Sequence, residues 1–156
     1  MHGKFLDMET FDYRYLVDDI VEDLKEKMVF IGGPRQVGKT TLAMLVAEKT
    51  YTNIQYLNWD DKKDKQIILK SRFDPDAEIL IFDEVHKYTK WKSLIKGIFD
   101  KNKKKYKIIV TGSARLNVYR RGGDSLLGRY HYYNLHPCLL YTSVYRKFRF
   151  NFKFFG

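Results

Sequence analysis

The sequence contains a single cysteine, Cys138, and only three prolines in 156 residues. One cysteine cannot form a disulfide within the chain, so we expect a reducing compartment, the cytoplasm. No apolar run approaches the ~20 residues that a membrane span needs, and the N-terminal residues do not resemble a secretory signal. The four histidines show no ligand spacing with Cys138, which disfavours a structural metal site. These absences exclude the disulfide-rich secreted class and the membrane-spanning class.

Acidic residues are also scarce, since 29 lysines and arginines face 19 acids and give a net charge of +10. Residues 138–156 hold four basic residues and no acid, so the first 137 residues carry only +6. The densest basic cluster is Lys101–Lys107. A solvated loop explains this cluster most simply, and contact with nucleic acid is the alternative. With 44% hydrophobic residues, the chain can form one globular core.

A glycine-rich loop carries the strongest functional signal. The segment from Gly33 to Thr40 fits every fixed position of the phosphate-binding pattern G-x-x-x-x-G-K-[ST]. The apolar run Met28–Ile31 predicts a buried strand before the loop, and Thr41–Lys49 predicts a helix after it. Backbone N–H groups at such a helix start point at phosphate oxygens. The predicted nucleotide-binding residues are Gly33, Pro34, Arg35, Gln36, Val37, Gly38, Lys39, Thr40 and Thr41.

Roles for individual side chains follow from the chemistry of this loop. We expect Lys39 to reach the terminal phosphates and the Thr40 hydroxyl to bind magnesium. The apolar run Glu78–Phe82 predicts a second buried strand, and Asp83 and Glu84 follow at its C-terminal end. Asp83 is predicted to hold magnesium through water, and Glu84 is predicted to act as the general base that activates the attacking water.

A third apolar strand, predicted over Lys107–Ser113, also ends in small polar residues. If it lies between the first strand and the Asp83 strand, Ser113 or Thr111 comes close to the γ-phosphate. Ser113 is therefore a candidate for sensing that phosphate, and it joins Lys39 and Glu84 as a predicted catalytic residue. The alternative is an ordinary turn, because serine and glycine favour turns.

The remaining pattern alternates strands and helices. An apolar stripe predicts a helix over Asp12–Lys27, and alternation predicts a strand over Asn53–Trp59. Helices are predicted over Asp60–Arg72 and Trp91–Phe99. This order of elements predicts a three-layer α/β sandwich around a parallel sheet, preceded by an N-terminal helix.

Several of these segments together resemble a family of bacterial and archaeal AAA-type P-loop ATPases. The segments are Val29–Leu42, Leu80–Lys87, Thr111–Leu116 and Gly122–Tyr130, with Tyr56–Asp60 and Tyr133–Pro137 in support. The resemblance runs from about Tyr13 to Pro137. It implies the strand order 5-1-4-3-2, with ATP and Mg²⁺ as cofactors. In that family a C-terminal domain of unknown function usually follows the ATPase module.

The resemblance also implies a role for one arginine. In AAA-type modules an arginine just before the fifth strand can reach the γ-phosphate of a neighbouring subunit. Arg129 precedes the strand predicted over Tyr130–Leu135 and is assigned this role, with a homo-oligomer or a partner protein as the implied assembly. A surface arginine is the alternative reading of Arg129. Arg115 is a second candidate with weaker placement.

The resemblance stops after Pro137, so we predict an ATPase domain over residues 1–137 and a separate tail over residues 138–156. The segment Cys138–Ser143 matches one reading frame of a sequencing-library adapter. We hypothesise that the tail is an artefact on a truncated gene. An edge strand or a basic, aromatic nucleic-acid surface is the alternative.

Four functions remain open at this point. The leading hypothesis is a module that binds and hydrolyses Mg-ATP and passes a conformational change to a partner or to a C-terminal domain. Asp83–His86 also spells the D-E-x-H box of nucleic-acid motors, so a nucleic-acid-dependent ATPase or translocase fragment is the main alternative. A small-molecule kinase and a nucleotide-gated scaffold without turnover complete the set.

Overall fold

The computed structural model describes residues 16–116 and 126–136, together with the backbone of 146–148. The strands are β1 Met28–Gly32, β2 Ile54–Asn58, β3 Ile79–Asp83, β4 Lys107–Gly112, β5 Tyr130–Asn134 and β6 Arg146–Phe148. The helices are α1 over residues 16–23, α2 Lys39–Thr50, α3 Lys62–Lys70 and α4 Trp91–Asn102. Short 3-10 turns follow β3 and β4, at Val85–Lys87 and Ala114–Leu116. The elements predicted in this part of the chain are present, and their bounds differ from the predictions by a few residues.

The strands form one sheet in the order β2-β3-β4-β1-β5-β6. β1 to β5 are all parallel, so the predicted order 5-1-4-3-2 is confirmed. β6 pairs antiparallel with β5 and extends the sheet by one edge strand from the tail. Because the strands are parallel, the loops that follow β1, β3 and β4 all emerge at the same edge of the sheet.

One face of the sheet is covered by α1 and α2. Alternate strand residues point to this face, among them Val29, Ile31, Ile81 and Ile109, and all four are fully buried. The helix residues that pack on them are Leu16, Val17, Ile20 and Leu24 from the α1 region and Leu42, Ala43, Val46 and Ala47 from α2. Asp23, at the end of α1, is buried and accepts a hydrogen bond from the Tyr133 hydroxyl at 2.6 Å.

The other face of the sheet is covered by α3 and α4. The intervening strand residues, such as Phe30, Phe82 and Val110, point to this side. Ile68 of α3 packs there together with Trp91, Ile95 and Ile98 of α4. The result is the three-layer sandwich that the alternating pattern predicted. Among the helices described, none is both long and apolar enough to cross a membrane.

Candidate functional site

The glycine-rich loop connects β1 to α2 at the C-terminal edge of the sheet. Gly38 is the N-cap of α2 and adopts a left-handed conformation with φ of 88°, which favours glycine. Gly33 has a φ of 153°, and a Cβ atom there would lie 2.4 Å from the backbone oxygen of Leu135. Gln36 is also left-handed, with φ of 61°, although it carries a side chain. The loop is therefore a constrained turn that closes tightly on the backbone after β5.

Lys39 lies inside this turn. It is the first residue of α2, only 8% exposed, and its Nζ donates a hydrogen bond to the Pro34 carbonyl at 2.6 Å. The first N–H groups of a helix have no partner within the helix. The helix start at Lys39, Thr40 and Thr41 therefore combines free backbone donors with a buried positive charge, which suits an anion. Pro34, Arg35 and Gln36 lie on the exposed outer side of the loop.

The Asp83 carboxylate accepts hydrogen bonds from hydroxyl groups on three different elements. Its Oδ2 accepts from the Thr40 hydroxyl at 3.1 Å and from the Tyr56 hydroxyl at 2.6 Å. Its Oδ1 accepts from the Thr111 hydroxyl at 2.7 Å. β4 lies between β1 and β3, so Thr111 fills the gap between the loop and Asp83. The two predicted magnesium residues, Thr40 and Asp83, are thus brought together.

Tyr56 was not predicted as part of this site. Its hydroxyl is held on the Asp83 carboxylate, and burial together with this hydrogen bond raises the pKa of Tyr56 well above its ordinary value. The hydroxyl therefore stays protonated and donating. Tyr56 lies on β2, the neighbour of β3, so the strand order contains a signal that points to it.

The donor set fits magnesium. Mg²⁺ prefers oxygen ligands and is commonly held by one or two protein oxygens, with waters and substrate phosphates completing its coordination. Thr40 and Asp83 offer a hydroxyl and a carboxylate of this kind, next to the predicted phosphate loop. Within residues 16–116 and 126–136, no group of three or more His, Cys, Asp or Glu side chains forms an alternative metal site.

Glu84 follows directly and has an unusual backbone. Its φ of 60° is left-handed, a conformation that costs of the order of 1–3 kcal/mol for a residue with a side chain. Its N–H donates to the Thr111 carbonyl at 3.0 Å, which ties the turn to β4. Its carboxylate lies 3.1 Å from Lys87 Nζ, and Lys87 also contacts Asp60 at 2.5 Å. The carboxylate is one-quarter exposed at the same edge as the loop.

Ser113 and His86 form a second polar contact beside Glu84. Ser113 Oγ lies 3.0 Å from His86 Nε2, and the same nitrogen is 4.0 Å from Glu84 Oε2. Burial lowers the pKa of His86, although the Glu84 charge opposes this change. In the sequence, His86 stands out only as the last residue of the D-E-x-H box. Its position two residues after Glu84 was the signal that could have placed it here.

Arg129 lies far from this group of residues. It immediately precedes β5, and Met28 at the start of β1 pairs with Tyr130, so Arg129 is at the opposite edge of the sheet. Its guanidinium makes a bidentate contact with Asp100, at 2.8 and 3.2 Å. This ion pair lowers the pKa of Asp100 below its ordinary value. Arg129 therefore cannot act on a nucleotide bound to the loop of its own chain.

The family model of the AAA domain matches residues 25–142, which is most of the chain. This chain belongs to the AAA-type P-loop ATPase family. The AAA match covers the loop, the acidic pair and the strand that ends before Ser113, and it continues past Pro137. No curated protein sequence matches the chain.

Solved structures similar to this AAA domain include RuvB, the Holliday junction branch migration motor of Thermotoga maritima. That match has 22% identity and a TM-score of 0.46, and it covers 65% of this chain and 37% of RuvB. Two single-residue variants of the same RuvB match at 23% identity, with TM-scores of 0.45 and 0.44. The chain thus spans little more than a third of the length of these motors.

Proposed function

We propose that this AAA module binds Mg-ATP at the glycine-rich loop and hydrolyses it. The observation that carries the proposal is the contact of Thr40 with Asp83, a hydroxyl and a carboxylate 3.1 Å apart at the start of α2. This pair, the buried Lys39 and the free N–H groups of the helix start together supply what a magnesium-bound polyphosphate needs. ATP is the nucleotide that the AAA family implies.

Each residue has a role in this proposal. Lys39 neutralises the terminal phosphates, and Thr40 and Asp83 hold the magnesium ion, which neutralises charge on the phosphate oxygens. Glu84 accepts the proton of the attacking water as general base. Ser113 detects the γ-phosphate. The energy released is passed as a conformational change to a partner protein or to a C-terminal domain, in place of small-molecule chemistry.

The first test is the substitution Lys39→Ala, which removes the buried charge from the loop. We expect Mg-ATP binding to be abolished, as measured by titration calorimetry. Lys49→Ala is the matched control, because Lys49 lies on the same helix and makes a surface ion pair with Asp18. Unchanged binding by Lys39→Ala would reject the loop as the nucleotide site.

The second test is Glu84→Gln, which keeps the shape of the side chain and removes its basicity. ATP should remain bound, while phosphate release slows by roughly 100-fold or more. Glu26→Gln, an exposed change before β1, is the control. Equal rates for Glu84→Gln and the wild type would discard Glu84 as the base. Transfer of phosphate to an added acceptor would instead favour a kinase.

One observation favours the nucleic-acid alternative. Lys107 Nζ donates to the Lys25 carbonyl at 3.0 Å, so the lysines before β4 lie beside those before β1. Lys103, Lys104 and Lys105 are exposed there. Stimulation of the ATPase by DNA or RNA, lost at higher salt and on changing these three lysines to glutamate, would support a nucleic-acid-dependent motor. No salt-sensitive binding would count against it.

A further inference from the structure

His86 occupies a space that Gly112 leaves open. The side chain of His86 is only 6% exposed. A Cβ atom on Gly112 would lie 2.3 Å from His86 Nδ1 and 2.8 Å from Cε1. The imidazole ring is therefore packed directly against the end of β4, and its Nε2 faces both Ser113 and Glu84.

The surroundings of the ring decide which nitrogen carries the proton. Nδ1 is buried and has no hydrogen-bond partner among the residues that the structure describes. A proton on Nδ1 would leave a buried N–H donor unsatisfied, which costs more than leaving a lone pair there. Nε2 faces Ser113 Oγ at 3.0 Å and the Glu84 carboxylate at 4.0 Å, and both favour a proton on Nε2. His86 thus donates to Ser113.

The hydrogen bonds of Ser113 then fix the direction of its own proton. A serine hydroxyl has one proton to donate and two lone pairs that accept. Ser113 Oγ accepts from His86 Nε2–H and from the Arg115 N–H at 3.3 Å, so both lone pairs are used. Its O–H is left to donate to a third group. Ser113 follows β4, between the loop after β1 and the acidic pair after β3.

We propose that His86 is a positioning residue that turns the Ser113 hydroxyl into a donor for the terminal phosphate of the bound nucleotide. The proposal rests on the nucleotide site proposed above and deepens it. It assigns to His86, which need not touch the substrate itself, the discrimination between a nucleoside triphosphate and a diphosphate. The hydrogen bond to an anionic phosphate oxygen is of the charge-assisted kind, which is stronger than a neutral one.

The experiment compares the affinities for Mg-ATPγS and Mg-ADP, measured by displacement of a fluorescent ADP analogue. The wild type should prefer ATPγS, and His86→Leu should lose roughly tenfold of that preference, because the bond to the terminal phosphate is lost. Its affinity for ADP should stay unchanged. A preference in His86→Leu equal to that of the wild type would overturn the proposal, as would an equal weakening of both nucleotides.

Two further variants separate positioning from a merely structural role. His86→Gln keeps an N–H donor near the position of Nε2, so it should retain most of the preference for ATPγS. Ser113→Ala should lose as much as His86→Leu, and the double variant should lose no more than either single one. Additive losses would show that the two residues act independently and would contradict the proposal.

The ring itself supplies a readout that does not depend on a variant folding. Nitrogen-15 NMR of the wild type should show the His86 ring protonated at Nε2, and a ring protonated only at Nδ1 would overturn the proposal. The ATPase assay separates this failure from that of the proposed function. A protein that prefers ATPγS but releases no phosphate would reject hydrolysis and leave the role of His86 standing. A protein that binds neither nucleotide would reject both.

Discussion

At the scale of single residues, the site is organised around one carboxylate that accepts hydrogen bonds from three hydroxyl groups. Asp83 accepts from Thr40, Tyr56 and Thr111, which come from α2, β2 and β4. A buried carboxylate is costly to desolvate unless hydrogen bonds compensate it, and these three hydroxyls do so. The same bonds hold the oxygen atoms of Asp83 in fixed directions beside the loop.

Tyr56→Phe removes one of these donors and should therefore lower the free energy of unfolding at neutral pH, by about 1 kcal/mol. It should also change the response to alkali. Because the pKa of Tyr56 is raised in the folded state, the folded chain keeps a proton that the unfolded chain loses above about pH 10. The contribution of Tyr56 to the free energy of unfolding is therefore fully present below about pH 10 and decreases as the pH rises further. Urea denaturation between pH 8 and pH 11 measures both effects.

Tyr106→Phe is the matched control for Tyr56→Phe. The Tyr106 hydroxyl donates to the neutral carbonyl of Asp74 at 3.0 Å, not to a carboxylate. Its loss should lower the free energy of unfolding at neutral pH by a similar amount, and it should leave the contacts of Asp83 unchanged. An identical slope for wild type and Tyr56→Phe would contradict the contact with Asp83.

At the scale of elements, the turn after β3 packs closely against the end of β4 because β4 ends in a glycine. Gly112 has no Cβ, and the His86 ring occupies that position. The left-handed turn at Glu84, whose N–H bonds to Thr111, aims His86 back at the strand. Two separate stretches of sequence thereby pack against each other beside the site.

Gly112→Ala should disturb this corner. The added methyl group would overlap the His86 ring, so we expect the free energy of unfolding to fall by about 1–3 kcal/mol, with loss of the contact between His86 and Ser113. Gly97→Ala is the control, because nothing lies within 4 Å of the added methyl group and Gly97 is inside α4. That change should raise the stability by about 0.5–1 kcal/mol. Chemical denaturation measures the free energy of unfolding of both variants. A Gly112→Ala protein as stable as the wild type would contradict the packing of His86 against Gly112.

The helices and strands could be predicted from the sequence because the spacing of apolar residues that marks each of them is a local property of the chain. An apolar run such as Glu78–Phe82 predicts a buried strand without any knowledge of the adjacent strands. The structure has β3 at Ile79–Asp83. The order of the strands is not local, and it was predicted only through the resemblance to AAA-type ATPases. Tyr56 and His86 were missed for the same reason. Their importance depends on the neighbouring strand and on the turn conformation, neither of which a motif records.

At the scale of the whole molecule, the candidate catalytic residues are divided between two edges of one sheet. The loop, Asp83, Glu84 and Ser113 lie at the C-terminal edge of the strands, while Arg129 is bound to Asp100 at the other. Strands of five residues separate the two edges by roughly 15 Å. If Arg129 takes part in hydrolysis, it must do so in a neighbouring copy of the chain.

A mixing experiment tests this arrangement. Arg129→Ala and Glu84→Gln should each hydrolyse ATP poorly, yet a mixture of the two should regain part of the wild-type rate. One interface in the mixed assembly would then combine an intact Glu84 with an intact Arg129. Asp100→Asn is the control, since it removes the charge that faces Arg129 and keeps the arginine itself. A mixture no more active than the average of its components would assign Arg129 to a purely structural ion pair.

The contact between Gly33 and the end of β5 has a mechanical consequence. The Leu135 N–H is bound to the Gly32 carbonyl at 2.8 Å, and the Leu135 oxygen fills the place where a Gly33 side chain would stand. The polypeptide that follows β5 is thus fastened to the first turn of the glycine-rich loop. Tension applied to the residues after Leu135 would deform that turn directly, and a change of shape in the turn would pull on the same residues.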